Sequence, residues 1–220
     1  MPAPPLRVLV IGATGLVGRD LVRRLAARDD VSEVVALVRR DPGARPSTKV
    51  SYRVVDFDRL DGLDDAFAVD AVFTAFGTTR RATPDKAQYR RIEVTIPLGV
   101  VQRAHAAGAT RCGVVSSVGA SSRSRALYLR QKGELDDAIA ALAWQRLVIA
   151  RPSTLRGARK DLRLGERMGV WLSPLMPARY RAVEASQVAE ALVTEVLAAG
   201  SSREIIENEV LSGSRYLSRT

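Results

Sequence analysis

Short apolar runs alternate with longer amphipathic stretches along most of the chain. The runs at Arg7–Ile11, Glu33–Val38, Val50–Val55, Ala71–Ala75, Cys112–Ser116 and Leu147–Ala150 have the length and β-branched content of strands. Between them, helical spacing predicts helices over Leu16–Ala27, Asp61–Phe67, Thr95–Ala107, Leu127–Leu142 and Ser186–Ala198. In the fourth of these, Leu135, Ala138, Ile139 and Leu142 fall on one stripe, and Gly108 and Gly200 stand where C-terminal stops are expected. Such alternation predicts an α/β fold, a parallel sheet with helices on both faces. The pattern breaks after Gly157, where Gly, Pro and Arg mix with Leu164, Met168, Trp171, Leu172, Leu175 and Met176. Residues 157–182 therefore read either as a small substrate-covering region on a single domain of residues 1–220, or as a stretch packed only on the core.

The first run leads into Gly12-Ala13-Thr14-Gly15-Leu16-Val17-Gly18, and an amphipathic run, Val17, Leu21, Val22 and Leu25, follows. A strand that ends in such a turn and opens a helix aims backbone N–H groups and the positive end of the helix dipole at one spot, where a pyrophosphate can sit. Gly12 suits the tight turn, Gly15 the approach of phosphate to the backbone, and Gly18 close packing of helix on strand. The sheet is thus expected to be of the doubly wound Rossmann type, with a dinucleotide across it.

Composition removes several other classes. The 220 residues with 46% apolar content can bury the core of one globular domain. No signal peptide or membrane span is expected, since no run approaches the roughly 20 apolar residues a span needs. One cysteine, Cys112, rules out an internal disulfide, and one histidine, His105, leaves no thiol–imidazole set for a metal. Cys112 reads as a small core residue and His105 as solvated. A reducing cytoplasm is the expected home. The net charge of +10 is spread along the chain among 24 acidic residues. With no basic block and no aromatic platform, nucleic-acid binding is not expected.

Tyr128 and Lys132 stand four residues apart, so a phenol and an ammonium share one helix face. An adjacent ammonium stabilises a phenolate and brings proton exchange with a carbonyl oxygen within reach of neutral pH. Ser116 and Ser117 end an apolar run, where a strand tip would hold a hydroxyl over the binding crevice. A serine there could hydrogen-bond a substrate oxygen, or simply cap a turn.

Together these residues resemble the short-chain dehydrogenase/reductase superfamily: Gly12-x-x-Gly15-x-x-Gly18, a serine at a strand end, then Tyr128-x-x-x-Lys132. Further segments resemble its atypical branch of Tat-interactive oxidoreductase-like proteins, namely Val54-Val55-Asp56-Phe57, Gly77-Thr78-Thr79-Arg80, Ser116-Ser117-Val118-Gly119-Ala120, Tyr128-Leu129-x-x-Lys132-Gly133-Glu134 and Arg151-Pro152. The resemblance implies that Tyr128 is the catalytic acid/base, that Lys132 holds the nicotinamide ribose and lowers the tyrosine pKa, and that Ser117, with Ser116 as second candidate, orients the carbonyl. It also implies that Thr14, Gly15, Leu16 and Val17 line the diphosphate, that Asp56 meets the adenine amine, and that Phe76-Gly77 passes beside the adenosine-side ribose or the nicotinamide arm. Leu155 would approach the nicotinamide end through its backbone.

The second strand run ends in Val38-Arg39-Arg40, where an NAD-specific protein would carry an acid for the ribose 2′-hydroxyl. Guanidinium groups there suit a 2′-phosphate, so NADP(H) is favoured over NAD(H). The chain departs from the superfamily in two places: Arg91-Ile92-Glu93-Val94 lies where many members carry an Asn, and Phe76-Gly77-Thr78-Thr79 replaces an Asn-Asn-Ala-Gly segment. The leading expectation is an NADP(H)-dependent oxidoreductase acting on a small carbonyl or quinone-like compound. The alternatives are an NADPH-binding regulatory or scaffold protein without turnover, and a sugar-nucleotide epimerase or dehydratase. Met168, Trp171, Leu172 and Met176 would give an apolar pocket, with Arg159, Lys160 or Arg163 available to an anionic group.

Overall fold

The six apolar runs become neighbouring strands of one sheet, and a seventh strand joins its edge. In the computed structural model, which describes residues 4–156 and 177–213, the chain runs β1 (Leu6–Ile11), α1 (Leu16–Ala26), β2 (Val31–Val38), β3 (Val50–Val54), α2 (Asp64–Phe67), β4 (Ala71–Thr74) and α3 (Lys86–Arg90). A π-turn (Arg91–Thr95) leads to α4 (Ile96–Ala106), β5 (Arg111–Val115), α5 (Leu127–Ala140), β6 (Arg146–Arg151) and β7 (Leu155–Arg156). A 3-10 turn (Ala178–Tyr180), β8 (Val183–Glu184), α6 (Ala185–Leu197), β9 (Ser202–Glu207) and α7 (Asn208–Leu211) complete the described chain. The main sheet has the order β3-β2-β1-β4-β5-β6-β9, and β7 and β8 form a separate two-stranded ladder. Every pairing is parallel.

Parallel strands covered on both faces carry unbroken apolar sequence. Val8, Leu9, Val10 and Ile11 of β1 are fully buried and alternate between two cores. Leu21 and Leu25 of α1 and Val188, Leu192 and Val196 of α6 cover one face. Ala66 and Phe67 of α2, Val100, Val101 and Ala104 of α4, and Leu135 and Ile139 of α5 cover the other. Cys112 lies fully buried in this second core, and burial pushes its thiol pKa up.

Three elements differ from the sequence pattern. The helix expected from Asp61 begins only at Asp64, because Gly62 adopts φ +77° in a left-handed turn that no α-helix includes. The helix expected from Thr95 is preceded by α3 and the π-turn. Pro97 lacks the N–H that would bond the carbonyl four residues earlier, and the Ile96 N–H reaches back five residues to the Arg91 carbonyl. Strand β9 was not predicted, since charged residues interrupt Ser-Arg-Glu-Ile-Ile-Glu and Ile206 alone is buried, as befits an edge. Residues 157–176 of the expected insert lie outside the described residues; Ala178–Tyr180 and Val183–Glu184 form short elements.

The sheet order reverses between β1 and β4, so their carboxyl ends diverge into separate loops and leave a crevice. Gly12 leaves β1 with φ +79°, and a Cβ there would strike the Ala75 carbonyl and come within 2.7 Å of the Phe76 nitrogen. Gly18, in the first turn of α1, would press a Cβ into the Gly12 carbonyl and to 2.6 Å of its carbon. Both clashes are with backbone, which cannot step aside. Gly18→Ala is therefore expected to destabilise the fold by about 1–3 kcal/mol. Gly99→Ala, in α4 with nothing within 4 Å of the added carbon, is expected to stabilise it by about 0.4–1 kcal/mol. Urea unfolding of both variants checks the pair.

Candidate functional site

The anticipated site residues fall on one rim, the carboxyl edge of the sheet. Gly12, Thr14, Gly15, Leu16, Val17 and Gly18 follow β1, Arg39 and Arg40 follow β2, and Asp56 follows β3. Phe76 and Gly77 follow β4, Ser116 and Ser117 follow β5, and Leu155 lies in β7 after β6. Tyr128 and Lys132 lie in the first two turns of α5.

The turn after β1 is drawn tight by the Gly15 N–H donating to the Gly12 carbonyl at 2.9 Å. Gly15 caps α1 with no side-chain hydrogen bond, and the first turn holds no acidic residue. The positive pole of the helix thus meets no carboxylate of its own turn, a setting that favours an anion. Thr14 is exposed, whereas Val17 turns its side chain into the core and offers only its backbone.

Arg39 and Arg40 are exposed, and neither has a hydrogen-bond or ion-pair partner among the described residues. The next acid, Asp41, accepts from the Gly43 N–H at 2.8 Å and faces Arg45 at 3.6 Å, so its own turn engages it. The Val55 N–H donates to the Val38 carbonyl at 2.9 Å, which carries the pairing of β2 and β3 up to the residue before Asp56. The Phe57 ring meets that of Phe76 with centroids 5.1 Å apart. The ends of β2, β3 and β4 therefore form one continuous wall. Asp56 is exposed and its carboxylate accepts from the Asp58 N–H at 3.0 Å.

Around α5 the site is strongly charged and closed. Tyr128, Lys132 and Asp136 succeed one another at four-residue steps, on one face. Tyr128 is 38% exposed, while Lys132 is 5% exposed. The Lys132 ammonium lies 2.9 Å from a carboxylate oxygen of Glu93, itself 1% exposed in the π-turn. Glu93 also accepts from the Thr78 N–H at 2.5 Å. Burial lowers the lysine pKa, but Glu93, helped by Tyr128 and Asp136, outweighs it and holds the ammonium above its ordinary value. Tyr89, one turn before Glu93, is buried under the Arg80 guanidinium at 5.1 Å, and desolvation with the nearby Glu93 charge pushes its phenol up to about 12.

The two serines have different surroundings. The Ser116 hydroxyl donates to Asp136 at 2.8 Å, and Arg151 of β6 donates to the same oxygen at 3.1 Å. Desolvation raises the Asp136 pKa despite these two partners. The Ser117 hydroxyl makes only a 3.5 Å contact to the Val118 carbonyl. Ser116 is thus committed to the protein interior, and Ser117 retains its hydrogen-bonding capacity. His105, expected to be solvated, is half-buried: its ring lies 4.5 Å from that of Trp144 at a tilt of 55°, and its Nδ1 is 3.2 Å from the Ala109 carbonyl oxygen. Among the described residues no cluster of His, Cys, Asp and Glu could hold a metal. None of their helices is long and apolar enough to cross a membrane.

A protein family described as NAD(P)H-binding matches residues 12–199. The chain belongs to that family. It stands on the atypical branch of the short-chain dehydrogenase/reductase superfamily. Protein FMP52 of Candida albicans, named as mitochondrial, is 31% identical over 86% of this chain and 86% of its own length. Protein HTATIP2 of Rattus norvegicus is 29% identical over 94% of this chain and 87% of its own. Among solved structures, MoeE5 in complex with UDP-glucuronic acid and NAD has a TM-score of 0.70 at 21% identity, over 90% of this chain and 75% of that one. The Thermus thermophilus UDP-glucose 4-epimerase complex with NAD has a TM-score of 0.67 at 18% identity, over 93% and 80%. These two likenesses show the Rossmann fold.

Two residues of the site escaped sequence reasoning. Glu93 was legible only as a departure from the superfamily, and Asp136 gave no signal beyond its place four residues after Lys132. The surroundings of the serines give a direct test of stability. Ser116→Ala is expected to cost about 1–3 kcal/mol, because the buried Asp136 loses a donor. Ser117→Ala is expected to stay within about 0.5 kcal/mol of wild type. Thermal and urea unfolding read both.

Proposed function

We propose that the chain is an NADP(H)-dependent oxidoreductase that acts on a small carbonyl or quinone-like substrate, with Tyr128 as acid/base. The observation that carries this reading is the face of α5, where an accessible phenol and a buried, charged ammonium stand on the same rim as the glycine turn. The cradle fits a dinucleotide. Gly12 and Gly18 bring backbone where side chains would fill the space, and the first turn of α1 is free of acidic side chains.

In this reading the backbone of Thr14, Gly15, Leu16 and Val17 holds the diphosphate, and Asp56 meets the adenine amine. Phe76 and Gly77 pass beside the adenosine-side ribose or the nicotinamide arm, and Leu155 approaches the nicotinamide through its backbone. Bound nicotinamide supplies hydride transfer. Lys132 donates to ribose hydroxyls and favours charge on the neighbouring phenol. Ser117 donates to the substrate oxygen, and Tyr128 gives that oxygen its proton in reduction or takes it in oxidation.

Arg39 and Arg40, without partners among the described residues, suit the 2′-phosphate of NADP(H), while the engagement of Asp41 in its own turn disfavours NAD(H). The composition favours a cytoplasmic home. The mitochondrial naming of fungal relatives is the point that this reading has to answer, by fractionation.

Parallel titration with NADPH and NADH, then a carbonyl and quinone panel, tests the proposal. NADPH is expected to bind more tightly, and Arg39→Ala/Arg40→Ala to weaken NADPH about tenfold or more with little effect on NADH. Tyr128→Phe is expected to lower turnover about 100-fold or more without loss of NADPH binding. Turnover unchanged in Tyr128→Phe, or no turnover of any carbonyl compound beside tight NADPH binding, would contradict the catalytic reading and favour a regulatory binder.

A further inference from the structure

The Lys132 ammonium is enclosed by groups from every element packed on it. Glu93 faces it from the π-turn, with Tyr89 one turn earlier and Arg80 over the Tyr89 ring. Tyr128 and Asp136 flank it on α5, and Arg151 of β6 holds Asp136 at 3.1 Å. A lysine ammonium has three N–H donors and no acceptor. Among the described residues Glu93, at 2.9 Å, is its ion-pair partner.

Glu93 is itself fixed by the Thr78 N–H at 2.5 Å, so one carboxylate ties Lys132 to the segment that leaves β4. Gly77 lies across this pair. A Cβ on it would stand 3.1 Å from one Glu93 oxygen and 3.5 Å from the Lys132 nitrogen. The ammonium is therefore held directly under the backbone of Phe76-Gly77, the stretch that walls the crevice. An ammonium this deeply buried and without a partner would shed its proton readily, and its single donor-bearing tip would be free to swing.

We propose that Glu93 is a positioning residue of the nucleotide site, keeping Lys132 charged and aimed past Gly77 at a ribose of the bound nucleotide. The inference rests on the nucleotide-binding part of the reading above and not on turnover. It assigns a role to the residue that stands where many superfamily members carry an asparagine, and it makes the charge of Lys132 depend on a second buried group.

Two measurements test it. The first follows the side-chain Cε signals of the four lysines by NMR in wild-type protein without nucleotide. Lys132 is expected to keep its proton beyond the ordinary lysine value of about 10.4. The second measures NADPH affinity against pH for wild type, Glu93→Gln, and Glu93→Gln/Lys132→Met. Wild-type affinity is expected to hold constant between about pH 7 and about pH 9, while that of Glu93→Gln falls about tenfold across the same range as Lys132 loses its proton. The double variant, which buries no unpaired charge, is expected to bind weakly with no such slope.

A Lys132 signal that titrates below the ordinary lysine value in wild type, or a Glu93→Gln profile parallel to that of wild type, overturns the proposal. If Glu93→Gln does not fold, the wild-type titration decides alone. If wild type does not bind NADPH, the nucleotide reading falls as well, and the lysine titration shows that outcome to be distinct from an error about Glu93.

Discussion

The site depends on how closely two lengths of backbone approach where the sheet reverses direction. Strands β1 and β4 are neighbours, yet their chains leave toward opposite sides, and the Gly12 backbone lies against the Ala75 carbonyl and the Phe76 nitrogen. The first turn of α1 sits in turn against the Gly12 carbonyl at Gly18. This stack of main chain has no room for a Cβ at either glycine. It brings the positive end of α1 to the floor of the crevice and sets Phe76-Gly77 as its wall. The remaining site residues are hung from the same edge by strands that are parallel and therefore end on the same side.

Opposite the glycine turn, the protein keeps an unusual number of charges out of water. Lys132 with Glu93, and Asp136 with Arg151, are buried or nearly buried pairs on adjacent turns of α5. Such pairs rarely add net stability over apolar side chains of the same shape, because desolvating two ions offsets their attraction. Their value here is geometric. They fix which way a lysine and a serine point, while the Ser117 hydroxyl keeps only a 3.5 Å contact and Tyr128 stays accessible. A cation at this depth retains its charge only with a carboxylate beside it, and Glu93 provides one.

Most of the sheet was legible because its strands are covered on both faces, and such strands must be apolar without interruption. Strand β9 was hidden because its edge position leaves Ile205 47% exposed and lets Arg203, Glu204 and Glu207 stand among the apolar residues. The helix register of Tyr128 and Lys132 was readable from spacing alone. Their company was not, since Glu93 reaches Lys132 across a large separation in sequence and through a π-turn that a regular 3.6-residue period does not anticipate. The difference between Ser116 and Ser117 was likewise closed to local reasoning: Asp136 of α5, itself held by Arg151 of β6, engages the Ser116 hydroxyl and not that of Ser117. The His105 ring meets that of a tryptophan from beyond α5, a contact that no helical-face argument could contain.

The most direct test of the account is a crystal structure of the protein with NADPH. The nucleotide is expected to lie across the β1–β4 crevice, its diphosphate against the backbone of residues 14–17, its 2′-phosphate at Arg39 and Arg40, and its nicotinamide ribose within hydrogen-bonding distance of Lys132. A nucleotide bound elsewhere, or bound in that crevice with its nicotinamide end directed away from Tyr128 and Lys132, would contradict it.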